Sequence, residues 1–404
     1  MTAGSSRSGT LPVLETRRPP FLILVAVSAI GPLALNIFMP SMPGLQATFH
    51  VSYGTVQLTL TLYLIGLAVC QLFYGPLSDR YGRRPLLLAG LALFVLASIA
   101  SALATSIETL IAARLVQAIG GASGIVLSRA IVRDLYQGEK AASVLGYITM
   151  AWVLAPMIAP AIGGYLDQLW GFRSTFILLA IIGALTLAGA WFSLHETHFN
   201  RRSDGRLWQS AHYGRIFASR QFRGYATTLA FASAVFFTFL AFAPFLTVNI
   251  MGRSAMEYGL WFILVSLGYM VGNFLSGRYS MVIGNDRMVL FGNLMTLIGA
   301  TLCLVLALFG ILTPAALFSP MLLCALGNGL TIPNGTIRAI SVDPMLVGTA
   351  AGLVGFLQMG MSAVISQGVG SWQDHDYMIG YWTLAICAGL GVLAHLAMLV
   401  RQPR

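Results

Sequence analysis

Arg114 is the side chain whose chemistry most needs an explanation, because it lies inside a long apolar run, residues 109–131. A charged group in a membrane helix is costly unless it faces the interior of the bundle or a water-filled cavity. Gln117 follows three residues later on the same helix face and can hydrogen-bond to a neighbouring helix. Two interpretations are open. Arg114 either reaches outward or bonds backbone carbonyls between helices, or it is a cavity cation that responds to protons or substrate through its partners.

Asn36 is the polar residue that two antiparallel helices could bring to the level of Arg114. It lies roughly 22 Å along the first apolar run, at 1.5 Å per residue. An asparagine cannot titrate, and none of the 13 acids lies in the interior of an apolar run. His395 is the only histidine well inside such a run. Proton chemistry would therefore use Asp134, His395 or the substrate's own charge, or it would be absent.

A polar segment, residues 75–85, separates two apolar runs and reads GPLSDRYGRRP. Gly75 and Pro76 are expected to end one helix, Gly82 to supply a turn residue, and Pro85 to lie in the first turn of the next helix. The three arginines of the segment favour the cytoplasmic side of a membrane, and its one acid can pair with an arginine or cap a helix. A turn that only fixed topology would need basic residues but not this ordered pattern.

The composition predicts an integral membrane protein. Of 404 residues, 57% are hydrophobic and 9% are charged, whereas soluble domains carry roughly 25% charged residues. The net charge of +10 does not indicate nucleic-acid binding, because the basic residues lie at the ends of apolar runs and in short loops. The four cysteines lie within apolar runs and lack metal-ligand spacing. With no phosphate-binding loop and no catalytic triad, the sequence predicts neither an enzyme nor a cofactor.

Twelve apolar runs are long enough for a helix to cross the hydrocarbon core, which takes about 20 residues. We therefore expect an all-α fold with twelve transmembrane helices. Both termini then lie on one side, and the arginines predict that this side is cytoplasmic, because the outer loops keep only Arg173 and Arg253. The predicted spans 1 to 12 cover residues 21–43, 54–75, 86–104, 109–131, 142–166, 173–194, 224–250, 257–280, 288–311, 314–338, 346–371 and 377–400.

One long hydrophilic segment divides six spans from six, and a short amphipathic helix is expected near residues 208–217 within it. LSDR at residues 77–80 is echoed by LSGR at residues 275–278, which indicates two pseudo-symmetric six-helix bundles. The predicted divisions are a disordered cytoplasmic N-terminus (1–20), an N-terminal bundle (21–194), a cytoplasmic linker (195–223), a C-terminal bundle (224–400) and a cytoplasmic tail (401–404).

Residues 75–85 resemble the signature of the loop between spans 2 and 3 in the major facilitator superfamily, and the resemblance covers nearly the whole chain. RLVQ at residues 114–117 is similar to the signature of its drug:proton antiporters. NIFMPSMP at residues 36–43 and RDLY at residues 133–136 resemble the Bcr/CflA drug-resistance branch. That branch usually carries an aspartate at the position of Asn36. The chain therefore departs from the pattern at the residue that would pair with an arginine for proton coupling.

The residues and the resemblance together give four groups of candidate functional residues. Asp134 would join a charge network that holds the cytoplasmic side closed, although a solvated ion pair is the alternative. Span 5 would act as a hinge or seal, or it would only pack tightly. The predicted residues are Asn36, Arg114, Gln117 and Asp134 for transport and coupling, Gly75, Asp79, Arg80, Gly82, Arg83 and Arg84 for the gating loop, Pro156, Pro160, Gly163 and Gly164 for the hinge, and Tyr63, Met150, Phe236, Phe239, Asn328, Asn334 and Gln358 for the substrate cavity.

Two functions remain open at this point. The first is a secondary active transporter that exports small amphipathic drugs or toxic metabolites across a bacterial inner membrane by alternating access, in exchange for protons. The second is a passive facilitator or metabolite uptake carrier without proton coupling, which Asn36 favours. A cavity lined by aromatic residues without acids would suit neutral or anionic compounds. The expected partners are a small-molecule substrate, protons and the lipid bilayer, with no nucleic acid and a monomeric chain.

Overall fold

The computed structural model describes residues 19–136, 157–197, 210–343 and 346–400. These residues form helices joined by short connections, and the helices follow the apolar runs of the sequence. The helices are α1 (Phe21–Phe38), α2 (Met42–Phe49), α3 (Tyr53–Tyr81), α4 (Arg83–Ala102), α5 (Ile107–Leu135), α6 (157–170), α7 (Arg173–Ser193), α8 (Ser210–Ala218), α9 (Arg220–Phe245), α10 (Ala255–Ile283), α11 (Asn285–Leu308), α12 (Pro314–Ile340), α13 (Val347–Trp372) and α14 (Met378–Val400).

The predicted membrane fold is confirmed at the level of its class. Within the described ranges, eleven helical segments are long and apolar enough to cross a membrane, with α1 and α2 joined as one segment. Predicted span 5, residues 142–166, lies partly outside the described residues, and its described part is helical as α6. The count of twelve therefore stays a prediction. The amphipathic helix expected in the linker is present as α8.

The helix before the predicted gating loop runs further than the sequence suggests. α3 continues through Gly75 and Pro76 to Tyr81, so the expectation that these two residues end a helix is wrong. A proline inside a membrane helix is tolerated where neighbouring helices and side chains satisfy the freed backbone groups. The turn therefore consists of Gly82 alone. Its φ is 99°, a value that glycine adopts readily because glycine lacks a Cβ atom. Pro85 lies in the first turn of α4, as predicted.

The helices pack in two halves, which we call the N half (α1 to α7) and the C half (α9 to α14). In the N half α5 packs against α1, α3 and α4, and in the C half α12 packs against α9, α10 and α11. The turn between α3 and α4 recurs between α10 and α11. There Gly284 has φ 89° and ψ 146°, against φ 99° and ψ 155° at Gly82. This repeat agrees with the weak internal similarity of the sequence.

Two seams join the halves. In the first, α3 runs antiparallel to α13, with Gly54 against Ser371 at one end and Gln71 against Gly355 further along. In the second, α6 packs against α10. We call the end of the bundle where α3 ends and α13 begins the terminal face, and the end where α3 begins and α13 ends the opposite face. At the opposite face the two halves are in direct contact.

Candidate functional site

Arg114 lies on α5 with none of its surface exposed. Its Nη1 atom donates hydrogen bonds to the Ala34 carbonyl of α1 at 3.1 Å and to Gln117 Oε1 at 2.6 Å. Gln117 lies one helical turn later, and its Nε2 atom donates to Ser98 Oγ of α4 at 2.7 Å. The prediction that Gln117 bonds a neighbouring helix is therefore confirmed. Arg114 does not reach outward: it faces the interior of the N half and bonds a backbone carbonyl between helices, while its role as a cavity cation stays a prediction.

Three aromatic rings surround the guanidinium group. Its Cζ atom lies 4.2 Å from the ring centre of Tyr63 on α3, 4.8 Å from that of Phe38 on α1 and 5.8 Å from that of Phe176 on α7. The Tyr63 hydroxyl donates to the Gly31 carbonyl at 2.9 Å, which fixes that ring. The faces of aromatic rings attract cations, most strongly where water is excluded. These three rings, which we call the aromatic cage, and two oxygen atoms therefore surround the positive charge of Arg114.

The site keeps unused hydrogen-bonding capacity. Nε and Nη2 of Arg114 have no hydrogen-bond partner among the described residues. Asn36 is 2% exposed and donates to the Pro32 carbonyl at 2.8 Å, while its Oδ1 atom likewise finds no partner in the described part of the chain. A buried polar group without a partner costs roughly 1–3 kcal/mol. A ligand that offers acceptors to Arg114 would therefore be favoured here.

Arg83 is the centre of the gating loop at the terminal face. It is 3% exposed, and its guanidinium contacts the Asp79 carboxylate at 2.6 Å and the Asp134 carboxylate at 3.1 Å. It also donates a hydrogen bond to Ser78 Oγ. Asp134 comes from the last turn of α5, so this cluster fastens the end of α5 to the turn between α3 and α4. The charge network predicted for Asp134 is present, and its role in gating stays a prediction.

Arg84 and Glu196 extend this cluster to the end of α7. Arg84 donates to the carbonyls of Leu194 at 2.6 Å and Trp191 at 2.9 Å. The Glu196 carboxylate accepts the backbone N–H of Arg83 at 3.0 Å and that of Arg84 at 3.3 Å. An acid is stabilising at the start of a helix, where N–H groups lack partners. The sequence analysis did not single out Glu196, because 112 residues separate it from Arg84.

Two other members of the predicted gating loop make fewer contacts. Arg80 is exposed and lies over the ring of Tyr81, with its Cζ atom 5.5 Å from the ring centre. Gly75 has open space where a side chain would project. The close contacts of the loop are therefore concentrated at Arg83 and Arg84.

α6 is closely packed through its small residues. A Cβ atom on Gly163 would collide with the Ile37 carbonyl oxygen of α1, and one on Gly164 would collide with the Ala255 carbonyl oxygen of α10. Gly259 of α10 meets the Pro160 carbonyl in the same way. The glycines therefore bring α6 against its own half on one side and against the C half on the other. Pro156, the remaining predicted hinge residue, lies outside the described residues.

Two of the predicted cavity residues are used in packing within the C half. Phe239 is fully buried, with its ring centre 5.5 Å from that of Phe318 on α12 and 6.1 Å from that of Phe262 on α10. Asn334 is 1% exposed and donates to Ser276 Oγ of α10 at 2.7 Å. Both residues join helices of a single half, which the sequence could not distinguish from a cavity position.

The other predicted cavity residues have different surroundings. Phe236 and Gln358 are partly buried, on α9 and α13 respectively. Asn328 donates to the Ala232 carbonyl at 3.1 Å, and its Oδ1 atom has no partner within the described ranges. Met150 lies outside the described residues. Asn328 thus resembles Asn36, because each amide is tied down by its nitrogen and leaves its oxygen unused.

A polar cluster in the C half mirrors the Arg83 cluster with the charges exchanged. Asp286 at the start of α11 accepts from Arg338 at the end of α12, with distances of 2.9 and 3.2 Å, and from the Tyr225 hydroxyl. His395 Nε2 lies 3.1 Å from the Asp286 carbonyl oxygen. The sequence analysis missed this cluster, although a signal for it exists in the loose likeness of NDR at residues 285–287 to GRR at residues 82–84.

Known proteins resemble the chain along most of its length. The family described as Major Facilitator Superfamily matches residues 24–366. Multidrug resistance protein D of Escherichia coli (strain K12) is 32% identical over 357 residues, which cover 85% of this chain and 86% of that protein. The bicyclomycin resistance protein homolog of Haemophilus influenzae (strain ATCC 51907 / DSM 11121 / KW20 / Rd) is 27% identical over 383 residues, which cover 93% and 94% of the two chains.

A solved structure agrees with the arrangement of the helices. The D-xylose-proton symporter superposes with a TM-score of 0.77 over 95% of this chain and 97% of that chain, at 16% sequence identity. Similarity at this level of identity speaks for the fold alone. The superposition shows that the fold described above recurs along nearly the whole of that chain.

Proposed function

This chain belongs to the Major Facilitator Superfamily, and we propose that it exports small amphipathic drugs or toxic metabolites by alternating access in exchange for protons. It is a multi-pass membrane transporter, not an enzyme, and its predicted resemblance to the Bcr/CflA branch is confirmed by its relatives. A multidrug resistance protein and a bicyclomycin resistance protein homolog are similar to it over most of their length. A bacterial inner membrane is the corresponding location.

The observation that best supports this function is the fully buried Arg114 within its aromatic cage. No carboxylate in the described part of the chain pairs with this guanidinium group, and the desolvation of a buried charge is costly. Two of its nitrogen atoms have no partner in the described part of the chain. A substrate with hydrogen-bond acceptors next to an apolar body would complete this site, which favours neutral or anionic amphipathic compounds over strongly cationic ones.

A second function is favoured by Asn36, which cannot carry a proton. Every described acid lies in a loop or in the first or last turn of a helix. The chain would then be a passive facilitator or an uptake carrier for a metabolite. We place drug:proton exchange first because of the resistance proteins among the relatives. Asp134 and His395 are the groups that could exchange a proton with the cytoplasm.

The proposed orientation puts both termini in the cytoplasm, so the terminal face is the inner face and the opposite face is the outer face. The arginines of the gating loop support this assignment, since basic residues are retained on the cytoplasmic side. The contacts between the halves at the opposite face then correspond to a transporter closed toward the outside. Each chain would form its own pathway between its two halves, and a monomer would suffice.

Efflux measured in cells that lack their own exporters tests the proposal. Cells carrying the chain are loaded with a labelled chloramphenicol-like or bicyclic peptide-like antibiotic and energised, and its loss is followed with and without an uncoupler. Drug:proton exchange predicts loss against the concentration gradient that stops when the uncoupler is added. A flux that only equilibrates the compound and ignores the uncoupler would support the facilitator. A control variant is Asp376→Asn, which changes an exposed acid whose described side-chain bond, to Met378 at the start of α14, stays within the C half.

A further inference from the structure

At the opposite face, Asp374 of the C half caps a helix of the N half. It lies in the turn between α13 and α14, and its Oδ2 atom accepts the backbone N–H of Tyr53, the first residue of α3, at 2.9 Å. Its Oδ1 atom accepts from Gln46 Nε2, at the end of α2, at 3.2 Å. The start of a helix carries unpaired N–H groups and a partial positive charge. A carboxylate from the other half therefore holds α3 in place.

Further hydrogen bonds continue this contact. Gln46 Oε1 accepts from Asn249 Nδ2, just after α9, at 3.3 Å. Gln367, near the end of α13, donates to the Gly54 carbonyl at 3.0 Å and accepts from Thr61 Oγ1 at 2.7 Å. Each of these bonds crosses from one half to the other. By contrast, the ion pairs of Asp134 and Asp286 described above each stay within one half.

Gln57 lies in the same seam but, unlike Asp374, makes no described side-chain hydrogen bond across it. It is fully buried on α3, and its side chain packs against Gly370 of α13. Neither its Oε1 nor its Nε2 atom has a hydrogen-bond partner among the described residues. Two unsatisfied amide atoms disfavour the closed seam, because separation of α3 from α13 would let water reach them. The closed seam therefore holds both a bond that favours closure and a side chain that opposes it.

We propose that the seam between α3 and α13 acts as a gate at the outer face. Asp374 stabilises the closed arrangement of the two halves, and the unsatisfied amide of Gln57 destabilises it. The proposal rests on the alternating access of the proposed function. Asp374 and Gln57 are positioning residues, since both act on the ratio of outward-closed to outward-open protein. Their opposition keeps that ratio adjustable, so that a bound substrate can shift it with a small difference in affinity between the two states.

Distances between the halves test this proposal. Spin labels are placed on exposed loops at Thr105 of the N half and Ile311 of the C half, in full-length protein whose four native cysteines are replaced, reconstituted in lipid. Asp374→Asn keeps the size and removes the charge and should shift the population roughly three- to ten-fold toward the longer, open distance. Gln57→Met keeps the length and removes both amide atoms and should shift it roughly three- to ten-fold toward the closed distance.

Asp376→Asn is the control, because that acid accepts the N–H of Met378, the first residue of α14, at 2.8 Å within the C half and should leave the distribution unchanged. Shifts of the same sign in Asp374→Asn and Gln57→Met, or no shift in either, would overturn the proposal. If Asp374→Asn does not fold, Gln46→Met removes a donor to the same carboxylate and must also favour the open distance. The distances are measured without transport, so a failed efflux assay leaves this test intact.

Discussion

In the Arg83 cluster, the carboxylates of Asp79 and Asp134 both compensate the charge of Arg83, and this sharing can be tested. Arg83 has a side chain that is 4% exposed, and two carboxylates face it, Asp79 at 50% and Asp134 at 16% exposure. Removal of one partner from a buried pair costs about 3–5 kcal/mol when it leaves the other charge uncompensated. In either single variant the remaining carboxylate still compensates Arg83. We therefore expect about 1 kcal/mol for Asp79→Asn, where solvent screens the pair, and about 1–2 kcal/mol for Asp134→Asn.

The double variant should behave differently from the sum of the singles. Asp79→Asn with Asp134→Asn removes both counter-charges from Arg83, and the expected cost is about 3–5 kcal/mol, exceeding that sum by about 1–2 kcal/mol. The free energy of unfolding is measured by titration of mixed micelles with a denaturing detergent, with Asp376→Asn as the control. An additive double variant would refute the shared compensation and leave a solvated ion pair as the role of Asp134.

Three further predictions concern the site and the seams. Arg114→Lys keeps the charge, but a lysine cannot bond both Ala34 and Gln117 while it lies between the rings. The variant should therefore lose roughly 1.5–3 kcal/mol of stability and most of its export activity. Wild-type efflux in this variant would contradict the role of the aromatic cage. Asn36→Asp adds a titratable group on α1 and should release up to roughly one additional proton per chain on substrate binding, measured in weak buffer against wild type. Gly164→Ala places a methyl group between α6 and α10 and should destabilise the outward-closed state by about 1–3 kcal/mol. The expected result is a longer distance between spin labels at Thr105 and Ile311. Gly163→Ala is the control, because it strains contacts within the N half and should leave that distance unchanged.

The fold could be predicted from the sequence because it follows from apolar runs of the right length. Runs of about 20 apolar residues locate helices with little dependence on tertiary context, and the described helices follow them. The end of α3 could not be predicted in this way. Gly75 and Pro76 are strong turn signals in water, yet the membrane environment favours a continued helix with its backbone bonds made internally.

The candidate site could be predicted only in part, for a physical reason. Arg114 and Gln117 were identifiable because a charge in an apolar run needs partners, and the partners are one turn apart. The aromatic cage is formed by residues of three helices that are distant in sequence, so no local sequence pattern predicts it. Phe239 and Asn334 show the same difficulty in reverse. An aromatic ring or an amide in a membrane helix serves a cavity or a contact between helices with the same local sequence.

The central claim is that substrate export is coupled to protons in a chain without a carboxylate on α1. The most direct test is the release of protons when an amphipathic antibiotic, such as a chloramphenicol-like compound, is added to purified protein in weak buffer. The proposal predicts that saturable binding releases protons and that affinity falls as the pH is lowered. Saturable binding with no proton release and a pH-independent affinity would contradict it and would assign the chain to the passive facilitators.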